Sequence, residues 1–132
     1  MPIETVDKIW MDGELVAWED AKIHVLTHTL HYGCGVFEGI RAYETDRGPA
    51  VFRLDEHIDR LFNSAAIYML DIPFDRDTLI AATLETVRVN NVPSCYIRPI
   101  VYLGYGEMGL NPLPCPVKVS IAVWPWGTYL GD

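Results

Sequence analysis

The residue types able to do chemistry concentrate in two short stretches. The first is residues 31–44, His-Tyr-Gly-Cys-Gly-Val-Phe-Glu-Gly-Ile-Arg-Ala-Tyr-Glu, where Gly33, Gly35 and Gly39 interrupt a strand-like run and Tyr32, Phe37, Arg41 and Tyr43 stand around the gaps. Glycine inside a strand pattern marks a bulge or the close approach of another group to the backbone. The second stretch is Tyr96-Ile97-Arg98-Pro99. Side chains alternate along a strand, so Phe37, Gly39, Arg41 and Tyr43 share one face, and Tyr96, Arg98 and Tyr102 share one on the other run. If the two runs are neighbours with these faces on the same side, two aromatics, an open glycine and a guanidinium converge. Arginine grips a carboxylate through two parallel N–H bonds. Phe37 and Tyr96 can enclose an aliphatic group, and Gly39 leaves room for it. Such a site suits a molecule with an acid end and an apolar end. The same spacing also accommodates an exposed sheet face with scattered aromatics, and Pro99 within its run points to an edge strand or a bulge.

Other chemistries find less support. Helical spacing pairs Arg60 with Glu56 one turn earlier, away from the apolar stripe, as a solvated ion pair. His24, His28 and His31 fall at i, i+4 and i+7, but no HExxH pattern accompanies them and Gly33 favours a turn, so no metal site is expected. Cys34 between glycines reads as a structural thiol. There is no G-x-S-x-G elbow and no Walker-type loop, and Gly104-Tyr-Gly-Glu-Met-Gly109 leads into prolines where a dinucleotide fingerprint needs a helix.

The elements that must position these groups follow from pattern and punctuation. Lys8–Met11 and Leu15–Trp18 flank Asp12-Gly13, a strong hairpin signal. Residues 27–33 form a turn or a short helix, and a strand carries 35–44. After the Asp46–Pro49 turn, Ala50–Leu54 returns as a strand. Asp55 is a suitable N-cap for a helix over about 56–69, with Ile58, Leu61, Phe62 and Ala65 as its stripe. A second helix spans about 76–89, with Ile80, Thr83, Leu84 and Val87 in the same spacing and Asn90-Asn91 ending it. Strand 94–103 alternates clearly, with Cys95, Ile97, Val101 and Leu103 on one face. A Gly/Pro-rich loop at 104–116 leads to a last strand, Val117–Val123. Strands around a pair of central helices predict an α+β domain with a mainly antiparallel sheet and two long helices.

Composition bounds the rest. With 132 residues, half of them hydrophobic and 21% charged, the chain supports one domain with a real core. A net charge of −8 argues against nucleic acid and anionic membrane surfaces as partners. No run is long enough to span a bilayer, and the N-terminus lacks a secretory pattern. The separated cysteines Cys34, Cys95 and Cys115 suit a reducing compartment, and a cytoplasmic location is expected.

Five blocks in order carry a family resemblance: residues 31–44; Val51–Leu54 with Glu56–Leu61; Tyr96–Pro99; Gly106–Pro112; and Pro125-Trp126-Gly127. Together they resemble the small N-terminal domain of the branched-chain amino-acid aminotransferases, pyridoxal 5′-phosphate (PLP) enzymes of fold type IV and of the class IV aminotransferases. The resemblance implies that residues 1–124 form this small domain, that 125–132 begin an interdomain connection, and that the large PLP-binding domain lies outside this chain. It implies that Arg60 anchors the cofactor phosphate. Phe37, Gly39 and Tyr96 line the aliphatic pocket, with the Tyr96 hydroxyl near the substrate α-carboxylate, and Arg98 meets the side-chain carboxylate of glutamate or 2-oxoglutarate. Tyr32 with Met108, Gly109 and Leu110 completes the pocket of a neighbouring subunit in a homo-oligomer, and Tyr129 lies where the domains join. The implied activity is amino transfer between leucine, isoleucine or valine and 2-oxoglutarate, serving branched-chain amino-acid biosynthesis.

PLP chemistry needs a lysine to hold the cofactor and shuttle a proton. The lysines here are Lys8, Lys22 and Lys118, and none matches the family position, which is expected beyond Asp132. No catalytic residue is therefore expected within this chain. The chain by itself is expected to be inactive, with no cofactor bound. The alternatives are a fragment of a D-amino-acid aminotransferase or an aminodeoxychorismate lyase, or a non-catalytic domain that binds small carboxylates.

Overall fold

The computed structural model describes residues 2–126. Its elements run β1 (Lys8–Met11), β2 (Glu14–Ala17), a 3-10 turn (Trp18–Asp20), α1 (His28–Tyr32), β3 (Gly35–Phe37), β4 (Ile40–Thr45), β5 (Gly48–Val51), α2 (Leu54–Ile67), α3 (Arg76–Val89), β6 (Cys95–Leu103) and β7 (Val117–Trp124). All the strand pairs are antiparallel, in the order β2-β1-β7-β6-β4-β5, with β3 joining β4 on the same side of β6. The predicted α+β class with a mainly antiparallel sheet and two long helices is what forms.

The first hairpin closes as its sequence dictates. Asp12 and Gly13 both take positive φ, 50° and 103°, as a two-residue turn matching strand twist requires. Asp12 also ties the hairpin to β7: its N–H donates to the Val119 carbonyl at 2.9 Å, and its Oδ1 accepts the Val119 N–H at 2.8 Å.

One face of the sheet is the core. Ile97, Val101 and Leu103 of β6 and Val119, Ile121 and Val123 of β7 are buried against Ile58, Leu61 and Ala65 of α2 and Leu79, Ala82 and Val87 of α3. Each of the valine, leucine and isoleucine side chains contributes roughly 1.5–3 kcal/mol by leaving water. The other face, bearing Tyr96, Arg98, Ile100 and the even residues of β7, has no helix pair over it.

Four local expectations change. The second helix does not bury Leu84, which is 49% exposed; its inward face is Leu79, Ala82, Thr83, Thr86 and Val87. The threonines enter the core because their hydroxyls donate to carbonyls one turn back, Thr83 to Leu79 at 2.8 Å and Thr86 to Ala82 at 2.6 Å. Asp55 is not the cap of α2. Arg53 holds that position with φ of 51°, and buried Leu54 begins the helix, two residues earlier than expected. Asp55 and Glu56 lie in the first turn, where negative charge suits the helix dipole. The strand expected at 50–54 runs instead over Gly48–Val51.

The fourth change concerns 35–44 and Pro99. The expected single strand is divided at Glu38-Gly39, yet the register does not slip: Phe37 pairs with Ile100 and Ile40 with Ile97. Glu38 therefore stands opposite Pro99. The Glu38 N–H donates to the Pro99 carbonyl at 3.1 Å, while the reciprocal bond is impossible because proline has no N–H. Pro99 marks neither an edge nor a bulge. It lies on β6, paired on both sides, and costs the ladder one hydrogen bond.

Asn90 does more than end α3. Its Oδ1 accepts the N–H groups of Asp7 and Lys8 at 3.0 and 2.8 Å, and its Nδ2 donates to the carbonyls of Lys8 and Thr86 at 3.0 and 2.8 Å. One buried amide thus pins the helix end to the start of β1.

Candidate functional site

The preserved register brings the two candidate faces together on the side of the sheet away from α2 and α3. Gly39 falls opposite Arg98, and Phe37 and Tyr96 take the diagonal positions. The Arg98 guanidinium carbon lies 4.1 Å from the Phe37 ring centre and 5.3 Å from that of Tyr96. Its Nη2 donates to the Tyr96 hydroxyl at 2.9 Å. Gly39 is required by contact: a Cβ there would lie 2.2 Å from the Tyr96 hydroxyl oxygen and 3.1 Å from Cζ. Of the two meanings of a strand glycine, close approach is the one realised.

Tyr96 is held from its other flank by the end of β7. Its ring centre lies 5.0 Å from that of Trp124 and 4.4 Å, edge to face, from that of Trp126. Arg98 Nε is buried and has no hydrogen-bond partner among the described residues. A guanidinium stays charged at all relevant pH, so this buried donor calls for an acceptor. An arginine stacked on aromatics with an unsatisfied donor is suited to an aliphatic molecule bearing a carboxylate.

A second group lies on the helix side of the same strand. Alternation turns Glu38 toward α2, together with Ile40 and Ala42, and its side chain is only 4% exposed. Arg60 answers it with a two-pronged ion pair, Nε to Oε1 at 2.6 Å and Nη2 to Oε2 at 2.7 Å. The His57 Nδ1 is 3.2 Å from Oε2. Burial works against ionising Glu38, but the Arg60 hydrogen bonds and the His57 contact outweigh it and hold the carboxyl below its ordinary range. The expected Arg60–Glu56 pair does not form: Arg53 takes Glu56 at 3.7 Å, and Arg60 reaches Glu38. The Arg60 side chain is itself 67% exposed, and its three remaining N–H groups have no partner among the described residues.

Sequence reasoning passed over Glu38 and His57. The available signal was parity. The alternation that puts Phe37 and Gly39 on one face puts Glu38 on the core face, and a buried carboxylate must have a cationic partner.

Tyr32 and the 108–110 loop form a third group at the far end of β6. The Tyr32 hydroxyl donates to the Met108 carbonyl and the His28 Nε2 to the Gly109 carbonyl, both at 2.9 Å, while the two rings lie 4.5 Å apart. Thr29 fastens α1 to the strand end, accepting the Leu103 N–H at 2.7 Å, with its hydroxyl 2.7 Å from the Cys34 carbonyl and 3.0 Å from that of Leu103. Leu110 is 81% exposed. Seven residues of strand, roughly 23 Å, separate Leu103 from Tyr96. Within one chain the loop group and the Tyr96 end of the site are therefore distinct. Tyr43 also stands apart, against Phe52 at 6.4 Å. Tyr129 lies outside the described residues.

The histidine series makes no metal site. His24 accepts the Leu26 N–H, His31 donates to Val25 and His28 to Gly109, and no metal-holding cluster occurs among the described residues. The cysteines are free; burial pushes the Cys95 thiol up to about 11 and raises that of Cys115. No helix among the described residues is long and apolar enough to cross a membrane.

The fold and the site together define an antiparallel α+β domain that gathers an arginine, two aromatics and a glycine on one face of its sheet. Comparison with known proteins gives the family. The Amino-transferase class IV sequence profile matches residues 35–130. The branched-chain-amino-acid aminotransferase of Pseudomonas aeruginosa is 57% identical over 124 residues, which cover 94% of this chain and 40% of that protein. The crystal structure of the Escherichia coli branched-chain amino acid aminotransferase superposes with a TM-score of 0.92 at 49% identity, covering 96% of this chain and 42% of that one. The T.th. branched-chain amino acid aminotransferase, complexed with N-(5′-phosphopyridoxyl)-L-glutamate, gives 0.90 at 52% identity, covering 94% and 42%. This chain belongs to the class IV aminotransferases, and its fold is that of the N-terminal domain of the fold type IV enzymes. It spans about two-fifths of the length of the curated relatives it matches.

Proposed function

We propose that this chain is the substrate-recognition part of a PLP-dependent branched-chain amino-acid aminotransferase, acting on leucine, isoleucine or valine with 2-oxoglutarate as partner acid. The observation that carries this reading is the Arg98 guanidinium, stacked on Phe37 beside Gly39 with a buried, unpartnered Nε. It pairs an apolar wall with a carboxylate donor, as a site serving both a branched aliphatic acid and glutamate requires. The T.th. relative, solved with a phosphopyridoxyl-glutamate adduct, supports both the cofactor and the acidic substrate.

In this reading Phe37, Gly39 and Tyr96 receive the aliphatic side chain, and the Tyr96 hydroxyl orients the substrate carboxylate. Arg98 exchanges its bond to Tyr96 for the side-chain carboxylate of glutamate or 2-oxoglutarate. Tyr32 with Met108, Gly109 and Leu110 closes the pocket of a neighbouring copy, which accounts for their distance from Arg98 and makes the working protein a homo-oligomer. Residues 1–124 form the small domain. The protein works in the cytoplasm.

The residues fit the cofactor in part. PLP, when bound, supplies the electron sink that lets an amino group pass between an amino acid and a 2-oxo acid. The exposed edge of Arg60 is suited to its phosphate. The lysine that would carry it is not furnished here. Lys8 lies on β1, Lys22 follows the 3-10 turn, and the Lys118 stem packs on Gly104 at the loop end of β7. The 132-residue chain alone therefore neither retains PLP nor transaminates.

The test is substrate profiling of the full-length aminotransferase that carries this segment. Activity with leucine and 2-oxoglutarate is expected; activity with D-alanine and none with leucine overturns the reading. A visible absorption band from PLP on the purified 132-residue chain would overturn the placement of the lysine.

A further inference from the structure

Glu38 lies between Phe37 and Gly39, residues assigned to the side-chain pocket, yet points to the opposite side of the sheet and grips Arg60. It is nearly fully buried while Arg60 is mostly exposed, so the carboxylate is the fixed member of the pair and the guanidinium the presented one. Its two oxygens take the Nε edge of Arg60, side-on, at 2.6 and 2.7 Å. His57 contacts Oε2 at 3.2 Å from one helical turn before Arg60, which fixes the carboxylate's own orientation. A guanidinium has five N–H donors in a planar fork. The two directed at Glu38 leave both on Nη1 and one on Nη2 without a partner among the described residues, on a side chain that is 67% exposed.

We infer that Glu38, oriented by His57, is a positioning residue for the cofactor phosphate: it clamps the inner edge of Arg60 so that the outer fork is held ready for a phosphate group. This rests on the reading of Arg60 as the phosphate anchor. A lone arginine on a helix surface samples many rotamers, and a phosphate would have to order it on binding. Here the ordering is done beforehand, by a carboxylate set in the strand that also shapes the aliphatic pocket. The phosphate group and the substrate side chain are thereby located from adjacent residues of one rigid segment. Two-pronged contact on the inner edge also keeps the guanidinium plane fixed, which a lysine at position 60 could not reproduce.

Electrostatics makes the inference sharp. A carboxylate near a phosphate dianion repels it, so if Glu38 only balanced charge, its neutralisation would tighten cofactor binding. A positioning role requires the reverse.

The experiment uses the full-length holoenzyme carrying this segment, with cofactor affinity measured by titrating the apoenzyme with PLP and the bound phosphate observed by its phosphorus-31 resonance. Arg60→Ala should weaken PLP by about a hundredfold, two charged hydrogen bonds' worth. If it changes neither affinity nor resonance, the reading of Arg60 fails and this inference with it. Given that loss, Glu38→Gln should weaken PLP about tenfold, the scale seen when a partner orienting a ligating side chain is removed. It should also move the phosphorus resonance and leave the KM for leucine nearly unchanged. Unchanged or tighter PLP binding in Glu38→Gln overturns the positioning role while leaving Arg60 as anchor. Should Glu38→Gln not fold, the unsubstituted enzyme decides through the nitrogen-15 spectrum of Arg60. The Nε–H signal should keep its apoenzyme position on PLP loading while the Nη signals move. An Nε–H signal that moves and couples to phosphorus overturns the inference.

Discussion

Gly39 and Tyr96 are fitted to each other: the glycine Cα leaves the space into which the phenol hydroxyl projects, and a methyl group at residue 39 would lie 2.2 Å from that oxygen. The same hydroxyl accepts the Arg98 guanidinium at 2.9 Å. One absent side chain thereby sets the position of a tyrosine and, through it, of an arginine.

Gly39→Ala should accordingly disturb the site more than the fold. The offending atom is the far end of a side chain, so Tyr96 turns rather than the strand parting, and the overpacking cost is about 1–3 kcal/mol. Thermal unfolding gives the stability term. The emission of Trp124 and Trp126, both packed on the Tyr96 ring, gives the displacement. Unchanged emission would show that Tyr96 had not moved.

Arg98→Lys keeps the charge but loses the planar stack on Phe37 and the fork. In the full-length aminotransferase proposed above, the KM for 2-oxoglutarate should rise by about tenfold or more, the loss of one charged hydrogen bond, and that for leucine much less. Steady-state kinetics with each substrate varied checks the asymmetry.

Asn90→Ala removes an amide that serves four backbone groups and leaves the Asp7 and Lys8 N–H groups without their acceptor. The expected loss is about 2–4 kcal/mol, because buried polar groups are left unpaired. Urea unfolding measures it, and a loss below about 1 kcal/mol, the scale of a single ordinary hydrogen bond, would mean that water replaces the amide.

Glu38 gives the fold a pH dependence. Its carboxyl is held below its ordinary value in the folded chain, so between the folded and unfolded values the unfolded state binds more protons. The stabilisation is fully present above the ordinary glutamate value, near 4.5, and is lost as pH falls through the lowered one. Asp59, Asp75 and Glu85 are lowered as well, by their partners Arg76, Thr78 and Arg88, and add to the slope. Urea unfolding from pH 3 to 6 should therefore show a shallower slope for Glu38→Gln than for the unsubstituted chain.

Much of the scaffold was legible because it is local. Asp12-Gly13 specifies its turn through backbone angles available to those two residues, and the alternation from Cys95 to Leu103 follows from the strand period. The inward stripe of α2, Ile58-Leu61-Ala65, is equally a matter of helical spacing. Leu84 is misplaced by that logic because hydrophobicity ranks it above threonine, whereas Thr83 and Thr86 hide their hydroxyls on the helix's own carbonyls and pack as small apolar groups.

The residue types of the site were determined by the chain itself: an arginine, two aromatics and a glycine on matching parities. Their convergence was decided only by the tertiary structure, because it depends on β3 and β4 pairing with β6 in one unbroken register across Pro99. The same holds for Arg60, which is one turn from Glu56 in sequence and 22 residues from the Glu38 it binds. Local pattern fixes which way a side chain points from its own element. What it meets there depends on segments far apart in the chain, and it was that meeting which turned a strand glycine into the seat of a tyrosine hydroxyl and a surface arginine into the partner of a buried carboxylate.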